Sequence, residues 1–445
     1  MKSQSRHSAA PGRGGSQSES VPPESALPSS SAPAPKVSWL GLPKFGWSLT
    51  LFGLCVYTFA VVTFKAPVGN AGAVIAIVGM LLQREKLRIP FPIWIFGSFL
   101  LWAFISSFAS PYTDLVLDNI FEQLKLFMIM IVVVNALRTE GQLRFYLMFF
   151  LGCFVLFPVR GTLVGGDRIQ GRAVWNFIYA NPNDLATLCL LALGMALAVM
   201  FFAPRRPVVR LGAAVSALAL IVVMFLSESR GAFIGLMAGM GWGLGRLGLK
   251  RPILTLLLGG VVALVLSMTI PPAVWERLSG IEKLTSTSTI AEADPEGSAE
   301  ERFEIQQTAW RIFVGHPIFG VGFGMYRQVN AKYAPSLGEK DTHNTYLNLA
   351  AETGLPGLIL WFSLVVSVLL YAYRVRKQAA PDEVAEPQAW VERALFGYLV
   401  AAMFGTYVKL SFPYIMLGIL WCWAKLKQSE PELLGEAKES RACAA

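Results

Sequence analysis

The sequence predicts an all-α polytopic membrane protein of about twelve transmembrane helices with one long, partly helical loop. Three observations predict it. Of 445 residues, 54% are hydrophobic and only 15% charged, against about 25% charged in a soluble chain, and the mean hydropathy is +0.51. Apolar runs approach the roughly 20 residues that a bilayer demands of a helix. The 40 glycines are scattered through those runs, as close helix packing requires, and the strict alternation of barrel strands is missing.

Residues 1–36 are rich in Ser, Pro, Ala and Gly and lack apolar periodicity, which predicts a flexible tail. The first apolar run begins near Trp47, so the sequence carries no secretory signal peptide ahead of it. Spans are predicted near 47–64, 67–82, 91–108, 117–137, 145–159, 184–203, 211–227, 231–247, 252–270, 345–373, 393–410 and 412–425. The domain scheme is therefore a cytoplasmic tail (1–36), nine spans (37–270), an outer loop (271–344), three spans (345–427) and a C-terminal tail (428–445).

The net charge of +9 is explained by loop asymmetry rather than by nucleic acid. Arg84, Lys86 and Arg88, then Arg138 and Arg144, Arg205, Arg206 and Arg210, Lys250 and Arg251, and Arg374, Arg376 and Lys377 fall at every second connection. The positive-inside rule puts that side, and both termini, in the cytoplasm. Four cysteines lie in apolar runs and Cys443 in the tail, so no framework disulfide is expected.

Arginines in the opposite loops are the exceptions to that rule: Arg160, Arg168 and Arg172, then Arg230, then Arg277, Arg302, Arg311 and Arg327. Long loops escape the charge rule, which accounts for most of the last group. Arg230, in Ser227-Glu228-Ser229-Arg230-Gly231, opens a membrane helix, where free N–H groups and the dipole already favour an anion. An arginine added there points to a phosphate.

Within the long loop, residues 301–313 place Ile305, Ala309, Ile312 and Phe313 at helical spacing, predicting an amphipathic helix along the membrane surface. Gly320, Gly322 and Gly324 follow His316-Pro317 and predict tight turns; without a preceding strand they make no dinucleotide-binding fingerprint. The loop ends at His343-Asn344-Thr345-Tyr346, the mouth of the next span. His343 is the strongest functional candidate of the three histidines, since His7 lies in the tail and His316 in a turn. Glu352 falls on the opposite helix face from His343, and Pro356 removes the hydrogen bond its carbonyl would receive, predicting a kink. The outer loops carry no metal-ligand spacing, and no metal or cofactor is expected.

Together, Asn181-Pro182-Asn183-Asp184, Ser229-Arg230-Gly231, Arg302 with Trp310, His316-Pro317-x-x-Gly320-x-Gly322, His343-Asn344-x-x-Leu347 and Glu352-x-Gly354-x-x-Gly357 resemble the O-antigen ligase and polymerase superfamily. The resemblance covers about residues 160–365. It implies a GT-C-like glycosyltransferase of the bacterial inner membrane that moves a glycan from undecaprenyl diphosphate to an acceptor hydroxyl, such as a lipid A core sugar, in the periplasm. On that reading His343, Arg230 and Arg302 are catalytic, and Arg160, Arg172, Asn183, Ser229, Asn344 and Tyr346 bind substrate. A polymerase of surface-polysaccharide repeat units, whose acceptor is also carrier-linked, is the alternative. A glycolipid transporter is disfavoured by the scarcity of ionisable residues inside the spans, chiefly Glu122, Lys125 and Lys409.

Overall fold

The chain is mostly helical. In the computed structural model, residues 46–63, 67–169, 171–175, 181–202, 206–250, 298–379 and 386–443 are described, with a few positions between 252 and 264. The predicted flexible tail, most of the span at 252–270 and the loop up to residue 297 lie outside them.

Helices α1 (Leu49–Thr63), α2 (Gly69–Leu82), α3 (Phe91–Ser107), α4 (Thr113–Ala136) and α5 (Glu140–Phe154) come first. α5 starts on a capping box made by Thr139 and Gln142. It does not stop at Pro158, which the sequence placed at a span end. The missing proline N–H is absorbed by a π turn, Val155–Val159, and the helix resumes as α6 (Arg160–Leu163). A short antiparallel pair, β1 (Arg168–Ile169) with β2 (Arg172–Ala173), precedes α7 (Pro182–Phe202), α8 (Pro207–Leu226) and α9 (Arg230–Lys250). Then come α10 (Ser298–Gly315), α11 (Tyr326–Tyr333), α12 (Thr345–Ala379), α13 (Pro387–Ala401) and α14 (Ser411–Cys443).

Four of the described segments are long and apolar enough to cross a membrane: Glu140–Leu163, Pro182–Phe202, Pro207–Leu226 and Thr345–Gln378. α1, α2 and α3 are apolar but shorter. α4 has the length, but Asp114, Asp118, Glu122 and Lys125 lower its hydropathy, and the last two pair at 2.6 Å on its surface. Phe91, Trp94, Leu101, Phe104, Val208, Leu211, Ile359 and Phe362 are exposed on helix flanks. Apolar surface of that extent needs an apolar solvent, and the chain is a membrane protein.

Small residues bring the helices together. On α9, Gly235 and Gly239 face α13, where a Cβ would come within 2.5 Å of the Gly397 carbonyl oxygen and 2.3 Å of that of Arg393. Backbone thus packs on backbone, the small-xxx-small mode of membrane helices.

The expected span at 393–410 is corrected at its second half. α13 ends at Ala401, and Ala402–Leu410 turns back as irregular chain. Its apolar residues have a different use: Tyr407 and Val408 are buried, the former against Thr187 of α7 and the latter's carbonyl accepting from Tyr414 of α14.

The long helix α12 is two helices joined at a break. Gly354 adopts φ 67 and ψ −175, a conformation essentially confined to glycine. Pro356 cannot supply an N–H to Glu352, as the sequence predicted, and the freed carbonyl is taken up by Gly322 N–H at 3.0 Å. Val321 N–H donates to the Ala351 carbonyl at 2.9 Å, and Leu355 N–H to that of Pro317 at 2.8 Å. Trp102 Nε1 donates to the Thr353 carbonyl at 2.8 Å. The turn sequence around Gly320-Val321-Gly322 is therefore the complement of a broken helix. A Cβ at Gly320 would sit 2.3 Å from the Glu352 backbone. The Glu352 side chain points into this junction, accepting Tyr326 N–H at 3.1 Å, and takes no part with His343.

Candidate active site

Three helix N-termini meet at one end of the bundle, and each begins on a capping side chain. At α7, Asn181 Oδ1 accepts Asn183 N–H at 2.9 Å, with Pro182 in the first helical position. At α9, Ser229 Oγ accepts Ala232 N–H at 3.3 Å. At α12, Asn344 Oδ1 accepts the N–H groups of Tyr346 and Leu347 at 3.0 and 3.1 Å. Ser229 and Asn344, predicted to bind substrate, thus have their oxygens engaged in caps, and they orient the residues beside them.

Arg172 ties the first two N-termini together. It is 8% exposed, and its Nη2 donates to Asn183 Oδ1 at 3.0 Å while Nε donates to the Ser227 carbonyl at 3.0 Å. A guanidinium suits this because its rigid fork reaches two acceptors in one plane. Arg230, the first residue of α9, is half-buried, and its Nε has no hydrogen-bond partner among the described residues.

The third N-terminus is held by the irregular chain after α13. Thr345 N–H donates to the Ala402 carbonyl at 2.8 Å, and Thr345 Oγ1 donates to the Gly405 carbonyl at 2.7 Å. Thr406 Oγ1 donates to Asp341 Oδ1 at 2.8 Å and lies 2.9 Å from Thr342 Oγ1. Tyr346 donates its hydroxyl to the Leu399 carbonyl at 2.7 Å, a packing role rather than an open site contact. His343 therefore sits between two anchored segments, with its backbone at φ 49.

Electrostatics shows what converges there. Burial, then the Arg302 guanidinium, holds the His343 imidazole below its usual pKa, with Lys340 adding to that and Asp341 and Glu301 opposing it. Tyr407, whose hydroxyl is 3.0 Å from Thr187 Oγ1 of α7, lies within the fields of Asp184, Arg302 and Arg172. The carboxyl groups of Asp184 and Asp341 also act on one another. The charge of Arg302 thus acts on both His343 and Tyr407 and that of Arg172 on Tyr407, while Arg172 grips the Ser227–Glu228 turn just ahead of Arg230.

Arg160 is exposed at the start of α6, and no described side-chain bond links it to this cluster. His316 lies outside it as well, 3.3 Å from the Tyr333 hydroxyl. Asp341, Thr406 and Tyr407 escaped the sequence reading. Asp341 stands two places before His343, but Thr406 and Tyr407 carry no local signal, because only the fold returns them to the loop.

Residues 215–362, from α8 through the first half of α12, match the model of the O-antigen ligase family. The matched stretch contains Arg230, Arg302 and His343, and its similarity to that family supports the superfamily named from the motifs. Arg172 and Asn183 precede the matched segment, so chain outside it grips the turn that leads into α9. No curated relative matches the chain. The family indicates activity of the ligase or polymerase type on lipid-linked glycans.

Proposed function

We propose that the protein is a glycan ligase that transfers a completed glycan from undecaprenyl diphosphate to an acceptor hydroxyl, such as a lipid A core sugar, at the periplasmic face of the inner membrane. The observation that carries the reading is the meeting of arginine charge and three helix N-termini around a histidine of lowered pKa. Each N-terminus favours an anion by about 0.3–1 kcal/mol, and arginines add bidentate hydrogen bonds to phosphate oxygens.

In this mechanism His343 accepts the proton of the acceptor hydroxyl as its oxygen bonds to the anomeric carbon of the donor sugar. The bond from that carbon to the diphosphate oxygen breaks, and the electron pair leaves with undecaprenyl diphosphate. Arg230 and Arg302 hold the diphosphate as its charge grows, and Arg172 keeps the α7 and α9 ends in register. A neutral imidazole is the competent form, which a lowered pKa secures at neutral pH. Diphosphate is a good leaving group, so no protonated carboxylic acid is called for, unlike glycoside hydrolysis.

The test is transfer in proteoliposomes with a polyprenyl diphosphate oligosaccharide and purified lipid A core acceptor. Ligation predicts release of polyprenyl diphosphate and an extended core, abolished in folded His343→Ala and Arg230→Ala. Ladders on the carrier without acceptor would make it a polymerase, and carrier movement with no new glycosidic bond would make it a transporter.

A further inference from the structure

We propose that the outer face of α10 is a glycan subsite that holds sugars of the donor chain beyond those at the reacting bond. The inference rests on the transferase reading for its substrate. α10 has two faces. Ile305, Thr308, Ala309 and Ile312 are buried in the protein, so the helix spends its apolar stripe on the fold. The other face exposes Phe303 (49%), Trp310 (55%) and, outside the cavity lining, Val314 (57%); Phe303 and Trp310 join Gln306, Gln307 and Arg311 in lining a surface cavity of about 470 Å³.

That mixture is wrong for a lipid contact. A helix lying on a membrane turns a continuous apolar stripe inward and its polar residues away, whereas here two amides and a guanidinium are interleaved with the rings. It suits a carbohydrate. Aromatic rings present flat apolar faces on which the C–H faces of a pyranose can lie. Glutamine amides offer donors and acceptors side by side to vicinal hydroxyls, and Arg311 adds further donors. Phe303 and Trp310 are seven residues apart, about 10 Å along the axis at the helical rise, a span suited to more than one sugar ring. Arg302, the residue before Phe303, is the one whose charge acts on His343.

The test uses the reconstituted full chain with carrier-linked donors of a single repeat unit and of several. Trp310→Ala and Gln307→Ala are expected to raise KM for the long donor about five- to tenfold, the scale of one good contact, leaving kcat and the short donor unaffected. Calorimetry with the carrier-free oligosaccharide should show binding that both variants weaken equally. Binding without transfer by wild type would sink the transferase reading alone. Transfer with no binding of the free oligosaccharide, or an equal effect on both donors, would overturn the subsite. So would brominated-lipid quenching that Trp310→Phe removes, since it would place the ring in the bilayer.

Discussion

Glu228 and His343 share one backbone state: both are non-glycine residues at positive φ, 51 and 49, and each immediately precedes the residue that caps a site helix. A left-handed conformation costs an L residue roughly 1–2 kcal/mol, and it persists only where neighbours enforce it. The anchors on Thr342 and Thr345 do so for His343. His343→Gly and His343→Ala remove the same proposed base, and both should bring transfer down by about 10²–10⁴-fold, to the point of abolition in the proteoliposome assay. They should differ in stability. Glycine relieves the strain, less its own entropic cost in the unfolded chain, so His343→Gly should melt above His343→Ala. Equal melting temperatures would show that the backbone there is unstrained.

The pH profile follows from the same residue. As the proposed base His343 must be neutral to accept a proton, and burial and Arg302 hold its pKa below the usual value of about 6.5. The acid limb of kcat/KM should therefore lie below that of an ordinary histidine, with activity level through neutral pH. Arg302→Gln removes a positive charge that opposes the imidazolium, so its limb should move to higher pH as the rate falls. A limb that keeps its position in the variant would remove Arg302 from the histidine's surroundings.

Much of this was legible in the sequence because it is local. The apolar runs gave the helices, and the motifs at Asn181, Ser229 and Asn344 are N-cap sequences whose role is fixed within three residues. The expected opposition of Glu352 and His343 needs one helix running through both, whereas α12 starts at Thr345 and His343 precedes it at φ 49. Other features depend on partners far along the chain. Gly320 and Gly322 read as turns, but that their turn serves the broken helix at Glu352 could not be read from spacing. Ala402–Leu410 reads as helix from its apolar composition, whereas its residues serve Thr345 and Asp341. Arg172 was visible as an unusual arginine, whereas its grip on Ser227 was not.

The break in α12 gives a prediction about folding. At Gly354 the backbone has φ 67 and ψ −175, and an added Cβ would stand 2.0 Å from the Ile318 carbonyl oxygen. Gly354→Ala meets both the conformational cost and backbone that cannot step aside, together upwards of about 2 kcal/mol. The variant should lose yield and thermal stability in detergent. Gly152→Ala, where a Cβ meets nothing within 4 Å, is the control and should behave as wild type.

Arg172 and Arg230 should separate structure from binding. Arg172 is buried, and one guanidinium serves the Asn183 side chain and the Ser227 carbonyl at once. Lysine keeps the charge but has no fork, so Arg172→Lys leaves at least one buried acceptor unmatched, at about 1–3 kcal/mol. Its melting temperature should fall, and kcat with it, because the α7 and α9 N-termini lose their register. At Arg230 the Nε has no partner among the described residues, so Arg230→Lys should keep wild-type melting behaviour. Its loss should appear against the donor, where an ammonium cannot replace bidentate contacts to a diphosphate. The pair is checked by thermal unfolding alongside transfer kinetics at varied donor concentration. An Arg230→Lys that melts early, with donor KM unchanged, would make that arginine a structural residue and leave the diphosphate to Arg302.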